Sequence, residues 1–388
     1  MKKILIIFIV AIFMYIPNSN AMQEAETELT STDIIESQME DLNLGDFVNK
    51  SKEYAGEFME DVDVGDLLQS AISGKVDNET FFKKVLNMLG KEVKYTIKIL
   101  ASIIIIIVIH SILKSISDSL ENKSIATITY YVQYILIVTL IMSNFTDIIS
   151  MTRDAIKNMV GYSQTLIPIL MTLLLTTGSV TSVSVIEPIT LFLINFISNT
   201  FEVFIIPIVL VSTAISIVSK ISDKIQIDKI SKFMKSSITW GLGVILTLFV
   251  SIISLDGTLT SSVDGVTAKT AKAAVSNLIP VVGKVLGDAV DTVIGCSNIL
   301  KNAVGIVGVL VIIGICIAPI IKLSILTISY HLAAAICQPI ADDKIVKLLD
   351  EMGGTFKVLL AIMCSISVML IIGTTLVIRI SNSGMMYR

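Results

Sequence analysis

The chain has 388 residues, 53% of them hydrophobic and 16% charged, with a formal net charge of −4 and a mean hydropathy of +0.83. An ordinary soluble domain carries about 25% charged residues and cannot hide so much apolar surface, and a disordered chain needs the opposite balance. What remains is an all-α polytopic membrane protein, because the strands of a membrane barrel alternate apolar and polar residues and do not run apolar for about twenty.

The N-terminus reads as an export signal. Met1-Lys2-Lys3 is basic, Ile4–Ile16 is apolar but too short for an ordinary span, and Ser19 and Ala21 are small. Cleavage is expected after Ala21, making residues 1–21 a signal peptide. An uncleaved anchor is the alternative, and either way the next segment leaves the cytoplasm.

Residues 22–96 form an acidic extracytoplasmic segment, with 16 acidic side chains against three lysines over 22–80. Asp41-Leu-Asn-Leu-Gly-Asp46 is echoed by Asp61-Val-Asp-Val-Gly-Asp66. Two short amphipathic helices are expected, with Asp46 and Asp66 accepting the free N–H groups of their first turns. The Asp61-x-Asp63 spacing is not a calcium loop, since Gly65 and Ile72 fall where such a loop needs other residues. A third helix, Phe81–Lys94, has an apolar stripe bordered by Lys83, Lys84, Lys91 and Lys94. It fits either an anionic lipid surface or its own domain.

Residues 97–380 are the multi-span domain, followed by a polar tail, 381–388. Apolar segments at 97–116, 125–142, 159–177, 186–218, 238–255, 304–337 and 358–378 predict about six to eight spans. The cluster Lys220, Lys224, Lys229, Lys232 and Lys235 belongs in the cytoplasm. Counting every segment as one crossing puts that cluster outside. A weak internal repeat suggests a way out: Leu166-Ile-Pro168 recurs as Leu278-Ile-Pro280, and Asp223-Lys-Ile225 as Asp343-Lys-Ile345. Both Leu-Ile-Pro elements are then expected to be re-entrant or interfacial hairpins, shielded by protein.

No catalytic, cofactor or metal pattern is present, so no enzyme is expected. The four cysteines lack any disulfide or zinc spacing and read as small buried hydrophobes. Nothing basic and aromatic enough for nucleic acid occurs. The candidate residues are polar groups within spans. Asn195, Asn199 and Glu202 share a helix face, which reads either as the lining of a hydrated path or as interhelical hydrogen-bond glue. Lys322 either marks a turn at the membrane surface or pairs with an acid such as Glu202. His331, like His110, lies in an apolar run, where packing or a bond to a neighbouring helix is commoner than proton carriage. Asp264-Gly265-Val-Thr267-Ala-Lys269-Thr270-Ala-Lys272 is short and polar; it either docks a partner or is a helix start capped by Asp264.

From about Leu255 onward the sequence resembles the stage III sporulation protein AE family of spore-forming Firmicutes. The resemblance rests on the Asp264–Lys272 stretch, on Asn277-Leu-Ile-Pro280-Val-Val-Gly283 with Gly287-Asp288 and Asp291, on Lys301-Asn-Ala-Val-Gly305, and on Ala333-Ala-Ala335-Ile-Cys-Gln338-Pro339. It implies a multi-pass subunit, in the mother-cell membrane around the forespore, of the channel complex that joins the two cells and sustains late forespore development. The implied role is a pore or transport component; a non-conducting scaffold and a stand-alone secondary transporter are the alternatives. The expected partners are the other channel subunits, anionic lipids and further copies of the chain.

Overall fold

The computed structural model describes residues 35, 37–39, 44–55, 63–73, 78–119, 123–221, 227–278 and 282–380. For 78–86, 255–278 and 282–290 only the backbone course is described. The signal peptide with Ala21, Pro280 and the tail 381–388 lie outside the described residues, and so does the side chain of His110.

Among the described residues the regular structure is helical throughout. Two short helices, α1 (Leu44–Tyr54) and α2 (Val64–Ile72), precede a set of long rods. These are α3 (Asn78–Ser119), α4 (Lys123–Thr176), α5 (Val180–Thr200) continued through a π-helical turn (Phe201–Ile205) into α6 (Ile206–Ile221), then α7 (Asp228–Leu278), α8 (Val282–Cys337) and α9 (Asp343–Ile380). Among the described residues five stretches are long and apolar enough to cross a membrane: Tyr134–Thr176, Val180–Lys220, Asp228–Ser254, Asp291–Cys337 and Asp343–Arg379. The chain is thus an all-α polytopic membrane protein.

The rods alternate in direction. The α4–α5 hairpin turns at Thr177–Ser179, where Gly178 takes φ 84. The Ser179 N–H reaches Leu174 O and the Gly178 N–H reaches Leu175 O, which satisfies the last carbonyls of α4 and needs the left-handed residue that glycine supplies. The Tyr134 hydroxyl donates to Ile217 O at 2.8 Å, tying α4 to α6. Phe145 and Tyr330 both meet Phe356, with ring centroids 6.2 and 5.1 Å apart, joining α4, α8 and α9. A Cβ on Gly305 would meet Ile378 and one on Gly353 would meet His331, which fixes α8 antiparallel to α9 at close approach.

One end of the bundle therefore gathers the ends of α3, α6 and α8 and the starts of α4, α7 and α9, with Lys220, Lys229, Lys232, Lys344 and Lys347; we call it the loop end. The other gathers the 177–179 turn, the end of α7, the start of α8 and the helices α1 and α2. The parity conflict dissolves for a simple reason. The apolar segments at 125–142 and 159–177 belong to one uninterrupted helix of 54 residues, so they count as one candidate span. Leu166-Ile-Pro168 accordingly lies inside α4, whereas Leu278 ends α7, and the two Leu-Ile-Pro elements are not equivalent hairpins.

α8 and α9 are the heart of the bundle: 83% and 72% of their most apolar windows are buried, against 22% in α7. All four cysteines are buried thiols outside any disulfide.

The leader helices pack on the bundle. Phe47, Leu44, Val64 and Leu68 are buried. Tyr54 meets the ring of Tyr162 at 6.1 Å, Ser51 shares a 3.3 Å hydrogen bond with the Tyr162 hydroxyl, and Gln38 Nε2 donates to Ser297 Oγ at 3.0 Å. Capping differs from expectation. Asp63, not Asp66, caps α2 by accepting the Gly65 N–H at 2.8 Å; that bond, with Lys52 beside it, holds the carboxyl below the usual range. Asp46 lies within the first turn of α1, and residues 81–94 are the opening part of α3 itself.

Candidate functional site

The residues expected to share a face do so, and that face points outward. Asn195, Asn199 and Glu202 are all exposed on α5 and the π turn. Gln164 Nε2 donates to Asn195 Oδ1 at 2.8 Å, and Asn195 Nδ2 donates to Leu191 O at 2.9 Å. Two turns further from the hairpin tip, Lys157 Nζ lies 3.2 Å from Glu202 Oε1. Both pairs bridge α4 and α5 in one register. Phe192 and Phe196 stack on the same face with centroids 6.4 Å apart and remain exposed.

The π turn has a local cause. Pro207 has no N–H and its ring crowds the carbonyl four residues back, so the helix widens there and the Ile206 N–H reaches Phe201 O. The widened turn sets Glu202 outward towards Lys157.

The cleft lined by Ser163, Thr190, Ile194, Phe249, Leu370 and Thr374 is too tight for a water molecule. Among the described residues no cluster of His, Cys, Asp and Glu is placed to hold a metal.

The remaining candidates separate. Lys322 does not pair with Glu202; its ammonium lies 5.3 Å over the Tyr95 ring on α3. His331 Nδ1 sits 2.8 Å from Asp350 Oδ1 near the loop end. Gln338 and Pro339 form the exposed α8–α9 turn. Asp264, Gly265, Thr267, Lys269, Thr270 and Lys272 lie within the continuous α7, so Asp264 does not start a helix; Gly283 and Asp288 lie in the first turns of α8. The side chains of these α7 and α8 residues lie outside the described ones.

Some groups were not foreseen. At the loop end Lys235 Nζ meets Glu351 Oε2 at 3.0 Å, with both largely buried, and Lys220 pairs with Asp228, which Ser219 also approaches. Lys301 is fully buried and its ammonium has no hydrogen-bond partner among the described residues. Lys157 and Gln164 could have been suspected, because they sit in the polar stretch that interrupts the long apolar course of α4.

The profile described as stage III sporulation protein AE matches residues 62–381. The chain belongs to the stage III sporulation protein AE family. One relative, stage III sporulation protein AE of Bacillus subtilis (strain 168), is 29% identical over 373 residues, covering 95% of this chain and 94% of its own. No solved structure matches the chain. The AE family match takes in α2 and every long helix, so the outward stripe and the loop-end ion pairs all fall within it.

Proposed function

We propose that this sporulation protein is a multi-pass subunit of the channel complex between mother cell and forespore, held in the mother-cell membrane with its leader in the space between the two membranes. It acts as a wall and assembly element and does not enclose a path of its own. The observation that carries this reading is the position of Asn195, Asn199 and Glu202: polar residues suited to a hydrated path lie on an outward face, while the cleft between α4, α5, α7 and α9 behind them is too tight for water. A path lined by this stripe lies between chains. The stripe suits a protein contact, because Asn195 and Glu202 are already paired and Phe192 and Phe196 offer an apolar anchor beside them. The lysines at the loop end support a cytoplasmic position for residue 228, with 60, 264 and 290 on the opposite side.

The test has two arms. Purified chain alone in liposomes is expected to pass no solute, and solute flux without partners would overturn the reading in favour of a self-contained transporter. Phe192→Ala with Phe196→Ala is expected to abolish co-purification with the other channel subunits and spore formation, at normal membrane level. Unchanged complex recovery would remove the stripe as the assembly surface.

A further inference from the structure

We infer that the last part of α7 and the first part of α8 stand beyond the other rods as a paired arm. The arm binds a second copy of this chain, with Lys269 and Lys272 of one copy meeting Asp288 and Asp291 of the next.

The register of the rods gives the arm its length. A Cβ on Gly373 of α9 would meet Phe249 and Ile253 of α7. α9 ends at Ile380, so α7 passes that end at about residue 260. Phe249 also shares a cleft with Ile194, and α5 begins at Val180, which sets the start of α5 at about residue 263 of α7. On α8, a Cβ on Gly305 would meet Ile378 and one on Gly308 would meet Leu166. The end of α9 is then level with about residue 303 of α8, and the end of α4 at Thr176 with about residue 298. Both helices run on past these levels. α7 continues to Leu278 and α8 begins at Val282, so each extends about fifteen residues, or about 22 Å, beyond the ends of α4, α5 and α9. The two lengths rest on separate contacts and agree. Gln38 bonds Ser297 at the base of the arm.

Only residues 279–281 separate the two helices, the spacing of an antiparallel helical hairpin. The sequence gives each helix two unlike faces. On α7, Leu259, Val263, Val266, Ala273 and Ala274 share one face; Lys272 lies on the opposite one, with Lys269 three residues before it. On α8, Val282, Val285, Ala289 and Val293 share a face; Asp291 lies on the opposite one, with Asp288 three residues before it and Lys284 on the same side. A helical hairpin closes on apolar faces and leaves its charged faces for other partners. Charges at this density are costly in hydrocarbon and suit water or a protein contact.

The heights of the charges match. Lys272 and Asp288 each stand eight residues from Pro280, and Lys269 and Asp291 each stand eleven. Copies set side by side in one membrane hold their arms at one level. The cationic face of α7 in one copy then comes opposite the face of α8 in the next, which is net acidic even with Lys284. The contact is head-to-tail, since each copy offers α7 to one neighbour and α8 to the other, and such a contact builds a ring or a row. Exposed charge pairs add little affinity, so their part is to set orientation and register.

The contact involves copies of this chain alone. Its test needs no other channel subunit, and its failure leaves the channel reading standing. In a background with Cys296, Cys316, Cys337 and Cys364 replaced by Ala, Lys272→Cys with Asp288→Cys is oxidised in the membrane. A ladder of covalent oligomers is expected, with nothing beyond a dimer from either substitution alone. A cross-link confined within single chains, or none, would overturn the inference. Charge exchange reads the same contact in detergent without cysteines. Lys269→Glu with Lys272→Glu sets acid against acid, and Asp288→Lys with Asp291→Lys sets base against base. Each of these double variants is expected to elute as a monomer, and an equal mixture of the two to regain the oligomer of the wild-type chain. A monomeric wild type, variants that elute as the wild type does, or a mixture that stays monomeric would each count against the contact.

Discussion

Lys157 and Glu202 lie 3.2 Å apart across the α4–α5 hairpin, and both side chains are about half exposed, at 53% and 46%. An ion pair so open contributes about 0–1 kcal/mol in water. Its position therefore matters more than its strength, because it stands level with a π turn and beside two exposed phenylalanines.

Glu202→Gln is thus expected to leave membrane level unchanged. Glu202→Lys places two cations together on the contact face and should cut recovery of the complex and the yield of heat-resistant spores. The exchange Lys157→Glu with Glu202→Lys should restore both. Equal spore yields in all three variants would show that the pair has no part in assembly.

Much of this arrangement could be read in the sequence. The Asn195–Glu202 spacing fixed a shared face, since three and four residues bring side chains together on a helix. Which way that face points could not be read, because in a membrane protein both lipid-facing and core-facing surfaces are apolar. The same ambiguity split α4 into two expected spans around its polar middle, although nothing there breaks a helix. Lys322 shows the other limit: its aromatic partner lies far away in sequence, and no local pattern announces it. The caps failed by a small margin, because Asp63 and Asp66 both suit a helix start and only the backbone decides between them.

Gly353 lies beneath the His331 ring, and an added Cβ would stand 3.0 Å from His331 Nε2. Gly353→Ala should therefore displace the imidazole and break its bond to Asp350, costing about 1–3 kcal/mol as overpacking does. Without the ring the same change should help, since alanine gains up to about 1 kcal/mol over glycine in a helix. Thermal unfolding in detergent of Gly353→Ala, His331→Ala and the double variant closes the cycle. Additive effects would mean that the two residues are not coupled.

The leader should be separable from the bundle. Phe47 is fully buried where α1 docks, and Tyr54 covers Gly161, whose Cβ position lies 3.1 Å from its ring. Phe47→Ala should loosen α1 by up to about 3–5 kcal/mol, the usual cost of a deleted core phenyl ring. Gly161→Val should push Tyr54 away by a different route. Both are expected to make the leader sensitive to added protease while the rods stay intact on a gel. Unchanged cleavage in both would show that α1 is held by other contacts.

The sharpest stability prediction concerns Lys235 and Glu351, which join α7 to α9 at the loop end. Their side chains are only 11% and 16% exposed, and Lys235 Nζ also donates to the Glu351 backbone oxygen at 3.2 Å. Removing one partner of a buried pair strands the other charge, which costs about 3–5 kcal/mol. Glu351→Gln keeps a hydrogen-bond acceptor but removes the charge, so its cost should fall below that of Glu351→Leu. Glu351→Leu leaves Lys235 with no anionic neighbour, even though Lys232 loses only a long 3.8 Å contact. Replacing both, as Lys235→Met with Glu351→Leu, removes the stranded charge and should recover most of the loss. Membrane level and detergent melting temperature should rank wild type and the double variant above Glu351→Gln, with Glu351→Leu lowest. A double variant as unstable as Glu351→Leu would mean that the site needs the ion pair itself, and the contact would then act as a specific clamp between α7 and α9.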